Sequence, residues 1–150
     1  MPYLVASTNY VLTAADWNAT HADAVQASAG LGTVETTTST GYTDLATAGP
    51  AVSISLVAGQ QVDIRIQCRL RNVAGGSGFE SRMGFAITGA GSLAASDTRA
   101  VKSQVDQHHS ASFEYTYTAP ATGSYTFTAK YSVSTSTGEF ESRYIKVRKY

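Results

Sequence analysis

From about Thr33 onward, hydrophobic and polar residues alternate with a period of two, the pattern of strands with one buried and one wet face. The clearest run is 61–72. There Val62, Ile64, Ile66, Cys68 and Leu70 fall on one side, and Asp63, Arg65, Gln67, Arg69 and Arg71 on the other. The same alternation picks out 51–57 (Val52, Ile54, Leu56), 81–87 (Met83, Phe85, Ile87) and 112–118 (Phe113, Tyr115, Tyr117). It continues in 123–134 (Tyr125, Phe127, Ala129, Tyr131, Val133) and 140–150 (Ile145, Val147, against Lys146 and Arg148). Turn chemistry separates the runs: Ala58-Gly59, Gly75-Gly76-Ser77-Gly78, Thr88-Gly89-Ala90-Gly91, Ala119-Pro120-Ala121-Thr122-Gly123 and Thr137-Gly138. Weaker candidates at 33–38, 42–46 and 97–103 bring the count to eight or nine strands. Many short strands with regular turns predict a sandwich or barrel, and eight or so in two antiparallel sheets is the size of a jelly roll.

The N-terminal part follows a different pattern. Residues 1–11 read as extended and mostly uncharged, and 13–28 as the one convincing helix. Thr13 suits an N-cap with Asp16 three residues on, and Leu12 and Trp17 take the positions of a hydrophobic staple. The helix interior is rich in alanine and meets Gly30 and Gly32 as C-terminal stops. Its apolar face is thin (Trp17, Ala24, Val25), so it needs a partner surface to be stable. The expected division is therefore an arm and helix over 1–32, an attachment segment, and a β domain over 33–150.

Composition supports the β reading. Of 150 residues, 19 are Thr and 17 Ser, nine are Tyr and five Phe, and only 15% are charged, so hydroxyls coat the surface. No apolar run approaches the ~20 residues of a membrane span, and the N-terminus has no basic region of a secretory signal. Cys68, the single cysteine, excludes an intrachain disulfide and reads as a small buried hydrophobe. Net charge is zero but unevenly placed: residues 1–60 hold Asp16, Asp23, Glu35 and Asp44 and no base, while all 11 bases follow from Arg65 onward. Either one part meets the other part of a neighbouring chain, or the acidic arm docks on a separate basic partner, or a short arm merely lacks bases by chance. A neutral chain supplies little drive to bind nucleic acid.

No constellation for catalysis stands out, so an enzyme is not expected. Gly89-x-Gly91-x-x-Ala94 matches the bare dinucleotide fingerprint, but no helical period follows it, and the glycines read as turn residues. His108 and His109 with Asp106 suggest a metal only if copies converge on an axis, because adjacent strand residues point to opposite faces. His21 has Val25, not a ligand, at i+4. Glu80, Glu139 and Glu141 could imitate a glycosidase pair, yet Arg82 and Arg143 stand beside them and would keep them ionised. No catalytic, cofactor or metal-binding residue is assigned.

Arg65, Arg69 and Arg71 form the best candidate surface: either an ordinary solvated sheet face or a subunit or partner interface. The tetrapeptide Phe79-Glu80-Ser81-Arg82 recurs as Phe140-Glu141-Ser142-Arg143. Either this is shared strand-opening composition, or the two strands lie together with crossed pairs of Glu80, Arg82, Glu141 and Arg143, four residues that join Arg65, Arg69 and Arg71 as candidates for a subunit or partner interface.

Two stretches carry a resemblance. Val11-Leu12-Thr13-Ala14-Ala15-Asp16-Trp17-Asn18-Ala19 resembles a segment near the start of tailed-phage and prophage structural proteins, although Thr20-His21-Ala22-Asp23 departs from its usual continuation. Residues 38–50, from Thr38-Ser39-Thr40-Gly41-Tyr42 to Gly49-Pro50, look like the start of a domain of phage tail, fibre and decoration proteins. Met83–Gly89, Ala94–Asp97, Gly138–Phe140 and Arg143–Val147 match its later landmarks. Such domains are similar to tumour-necrosis-factor-like jelly rolls that trimerise. The resemblance implies a non-enzymatic virion protein, assembled in the host cytoplasm without a cofactor. It would be a homotrimeric capsid decoration or head-fibre protein, attached to another virion protein through residues 1–30. Leu12, Thr13, Asp16 and Trp17 would pack the attachment segment. The alternative is a tail, baseplate or fibre-tip protein that binds a host-surface receptor through loops 73–78 and 89–98. Neither reading involves nucleic acid or a membrane.

Overall fold

The computed structural model describes residues 26–150. They form nine strands: β1 (Gln26–Leu31), β2 (Glu35–Thr37), β3 (Ala51–Leu56), β4 (Gln61–Asn72), β5 (Ser81–Gly89), β6 (Val101–Ser103), β7 (His109–Thr118), β8 (Gly123–Val133) and β9 (Gly138–Lys149). The first sheet runs β1-β9-β4-β7, with β2 also on β9, and the second runs β3-β8-β5-β6. Every pairing is antiparallel. Set aside the short β2, and the first sheet holds strands one, eight, three and six while the second holds two, seven, four and five. That order is a jelly roll: each connection but one crosses between the sheets, and the two sheets enclose one core.

The six strongly alternating runs all become strands. β4 covers 61–72 as expected, and its five inward residues, Val62, Ile64, Ile66, Cys68 and Leu70, are fully buried. They meet Phe85, Ile87, Phe127, Ala129 and Tyr131 of the second sheet within one apolar cluster. The weaker candidates fare unevenly. Residues 33–38 yield β2, 42–46 only the bridge of Thr43 to Tyr131, and 97–103 a 3-10 turn (Asp97–Arg99) followed by β6.

The helix expected over 13–28 requires a correction at its end. Gln26, Ala27 and Ser28 belong to β1, which pairs with β9 from Gln26↔Arg148 to Leu31↔Arg143. Ladder pairing overrides alanine's helix preference there. Ala27 and Ala29 pack against the core, and Gly30 leaves room for the Tyr144 ring, which a Cβ would meet at 3.3 Å. The remainder of that helix, with Leu12, Thr13, Asp16 and Trp17, lies outside the described residues. The β fold thus includes residues as early as Gln26, ahead of the boundary expected at 32/33.

β9 departs from simple alternation. Its register with β4 shifts by one residue between Gln67↔Tyr144 and Arg69↔Glu141, and Ser142 takes a positive φ of 49°. This β-bulge lets Phe140, Arg143, Ile145 and Val147 all turn inward although Phe140 has the opposite parity.

Candidate functional site

The outer face of the first sheet gathers most of the charged residues singled out from the sequence. Arg65, Arg69 and Arg71 project from β4, and across the ladder stand Glu114 of β7 and Glu139 and Glu141 of β9. Arg71 binds Glu139 with two parallel bonds, Nε to Oε2 at 2.7 Å and Nη2 to Oε1 at 2.8 Å, and donates a third to the Asp106 carbonyl. Arg69 donates to Glu141. Arg65 and Glu114, both well exposed, make a looser pair at 3.7 Å. The like-charged row expected on β4 is therefore neutralised by acids in register with it, each pair spanning two strands.

His108 lies over this row, 3.4 Å from Glu139 and 3.9 Å from Glu141, while His109 turns away to meet Ser103 at 3.3 Å. The opposite directions are those of neighbouring residues at a strand end. Among the described residues no three His, Cys, Asp or Glu side chains converge with metal-ligand geometry.

The repeated tetrapeptides do not lie together. Ser81 and Arg82 belong to β5 in the second sheet, and Phe140 to Arg143 belong to β9 in the first. Arg82 holds Glu80 at 2.6 Å and Asp97 at 3.0 Å, and Gln104 adds a bond to Glu80 at 2.9 Å. Tyr42 donates to the same Asp97. Glu141 pairs with Arg69 and not with Arg143, so the alternative of crossed pairs does not hold; the bulge turns Arg143 into the sandwich, where it cannot serve the subunit or partner interface expected of it.

That inward turn creates the one arrangement that the strand patterns had not suggested. Arg143 is fully buried, with Nη2 3.2 Å from Glu35 and its guanidinium 5.6 Å from the centre of the Tyr131 ring. Tyr131 in turn donates to the Gly49 carbonyl at 2.8 Å, which ties down the loop before β3. A signal was present in the sequence: counting back by two from Val147 and Ile145 places Arg143 on the inner face, and only a bulge also brings Phe140 there.

The electrostatics favour fixed charge over proton transfer. The Arg82 bond, followed by that of Gln104, lowers the pKa of Glu80, and the Arg71 bond lowers that of Glu139. For Glu35, burial works to raise the pKa, but the bonds from Thr47 and the Arg143 pair outweigh it. Burial pushes the Cys68 thiol up to about 12, against the pull of Arg143. Carboxylates held ionised and a thiol held protonated are poor acids, bases and nucleophiles near neutrality.

No family model matches the chain, and no curated protein matches its sequence. Among solved structures, one to which the chain shows a likeness is the CBM22-1 xylan-binding domain of Paenibacillus barcinonensis Xyn10C. It is 15% identical, with a TM-score of 0.37 over 80% of this chain and 85% of that one. The jelly-roll assignment rests on the strand order of the chain itself.

Proposed function

We propose that this chain is a non-enzymatic structural protein of a tailed-phage virion, a jelly-roll body attached to the particle through its N-terminal segment. The observation that carries the reading is where the phage-like landmarks fall in the fold. In the stretch 38–50, Leu45 enters the core, Thr43 bridges to Tyr131, Asp44 binds Lys130 at 2.8 Å, and Tyr42 covers Gly84. Gly84 lies in a second landmark, Met83–Gly89, whose Met83, Phe85 and Ile87 are core residues. Gly138 and Arg143, from two others, are packed against Ser81 and paired with Glu35. Several residues of these landmarks thus help build the body, which suits kinship of fold and a structural role. Residues 1–25 precede β1, an edge strand of the first sheet.

The capsid-decoration role and threefold assembly belong to this proposal through the same resemblance. Immunogold labelling of intact particles with antibody to the β body tests the role. Label over the head is the expected result, label on tails alone would favour receptor binding, and unlabelled particles would refute both. Attachment is tested by deleting residues 1–25, a cut that spares β1. The truncated body should stay folded and lose particle binding.

A further inference from the structure

We infer that strand β7 is a self-association edge that pairs, antiparallel and about a twofold axis, with β7 of a second copy. β7 is ten residues long and closes the first sheet, matched to β4 from Gln61↔Thr118 to Leu70↔His109 without a break. The ladder direction follows from its ends: Tyr150 N–H donates to Gln61 on the β9 side, and Ala119 N–H to Gln60 on the β7 side. Even-numbered residues of β4 therefore bond to β7, and their partners there are the odd-numbered ones. The backbone groups of Ser110, Ser112, Glu114 and Thr116 face away from β4, and no described backbone group bonds to them.

Long open edges invite another strand, and proteins usually blunt them with lysine, proline, a bulge or brevity. The edges of the second sheet follow that practice: β6 has three residues, and β3 has six and directly follows Pro50. β7 has none of these devices. Its one carboxylate, Glu114, is only loosely paired with Arg65 at 3.7 Å. Phe113 and Tyr115 remain partly exposed at this edge even though their row faces the core.

The residue order of β7 selects a second β7 as the occupant. Pairing must keep inward residues opposite inward ones. Centring the twofold on Phe113 uses nearly the whole strand. It sets Glu114 against the partner's Ser112, Ser110 against the partner's Thr116, and small Ala111 against the partner's Tyr115. Centring on Glu114 instead would place two carboxylates face to face. The Phe113-centred register is the longest one without a like-charge contact.

This inference rests on the edge alone, not on the virion reading. A twofold contact produces even-numbered species: a dimer, or a hexamer if the body is itself threefold. Sedimentation equilibrium of the full chain at tens of micromolar should find one of them. Ser112→Glu places like charges opposite each other twice and should weaken association about tenfold or more. Ser112→Lys meets the partner's Glu114 and should hold or tighten it. Ser112 is exposed, so both variants keep the fold. Only monomers or only trimers, or equal weakening by both variants, would overturn the edge. A trimer alone would leave the virion proposal intact.

Discussion

Arg143 Nη2 stands 3.2 Å from the Glu35 carboxylate, and this pair joins the bulge of β9 to the short strand β2. The arginine is fully enclosed while the Glu35 side chain keeps 13% exposure, so the charge is shared between core and rim. Removing either member alone leaves the other charge without its partner in a place water barely reaches.

Arg143→Met should therefore lower unfolding free energy by about 3 kcal/mol or more, the usual cost of breaking a buried pair from one side. Urea denaturation followed by near-ultraviolet circular dichroism measures it. Arg143→Met combined with Glu35→Gln should recover a large part of the loss. If the double variant is no more stable than Arg143→Met alone, the loss comes from packing and not from the stranded charge.

Acid should destabilise the fold in a defined window. Glu35, Glu80 and Glu139 all titrate below their ordinary value of 4.5 in the folded chain. A depressed folded pKa gives stability that is present above the unfolded value and lost as pH falls through the folded one. The urea midpoint should stay level from neutrality down to about pH 5 and drop below pH 4.5. Glu139→Gln should flatten that drop, and an unchanged slope would show that Arg71 contributes nothing through its partner.

Cys68 should resist thiol reagents. It is fully buried, and its thiol is held protonated up to about 12. At mildly alkaline pH a disulfide reagent should leave the native chain unmodified and release one equivalent per chain on unfolding in urea. Fast labelling of the native chain would mean that β9 opens beside Cys68.

Gly89 offers a test of the glycine pair that imitates a nucleotide fingerprint. It has a φ of 112°, and a Cβ there would sit 2.2 Å from the Ser124 carbonyl oxygen. Gly89→Ala should cost about 1–3 kcal/mol through backbone strain and collision. Calorimetry with and without nucleotide checks both halves of the claim, since a thermal shift on adding nucleotide would reopen a binding role.

The strands with strict alternation were legible because one side chain in two had to leave water, as β4 shows along its whole length. Two features were not. β1 carries Ala27, Ala29 and Gly30, residues too small to announce a buried face, and their strand state depends on β9 more than a hundred positions away. The bulge at Ser142 hid the inward direction of Arg143, because alternation read forward from Phe140 breaks there. Of the candidate surface, Arg65, Arg69 and Arg71 were visible as a row. Their partners were not, since pairing across β4, β7 and β9 is set by topology. The attachment residues Leu12, Thr13, Asp16 and Trp17 lie outside the described part of the chain.

The strand order also dictates when the molecule can fold. β9, the last of these nine strands in chain order, is an inner member of the first sheet, between β1 and β4. Until it emerges, β4 has β7 on one side only and β1 has no described neighbour in its sheet. Sheets of such non-local pairing form slowly, in milliseconds to seconds. The sandwich therefore closes only after synthesis has passed residue 149, and a chain stopped before β9 leaves β1 and β2 without their ladder partner and one edge of β4 open for quality control to recognise.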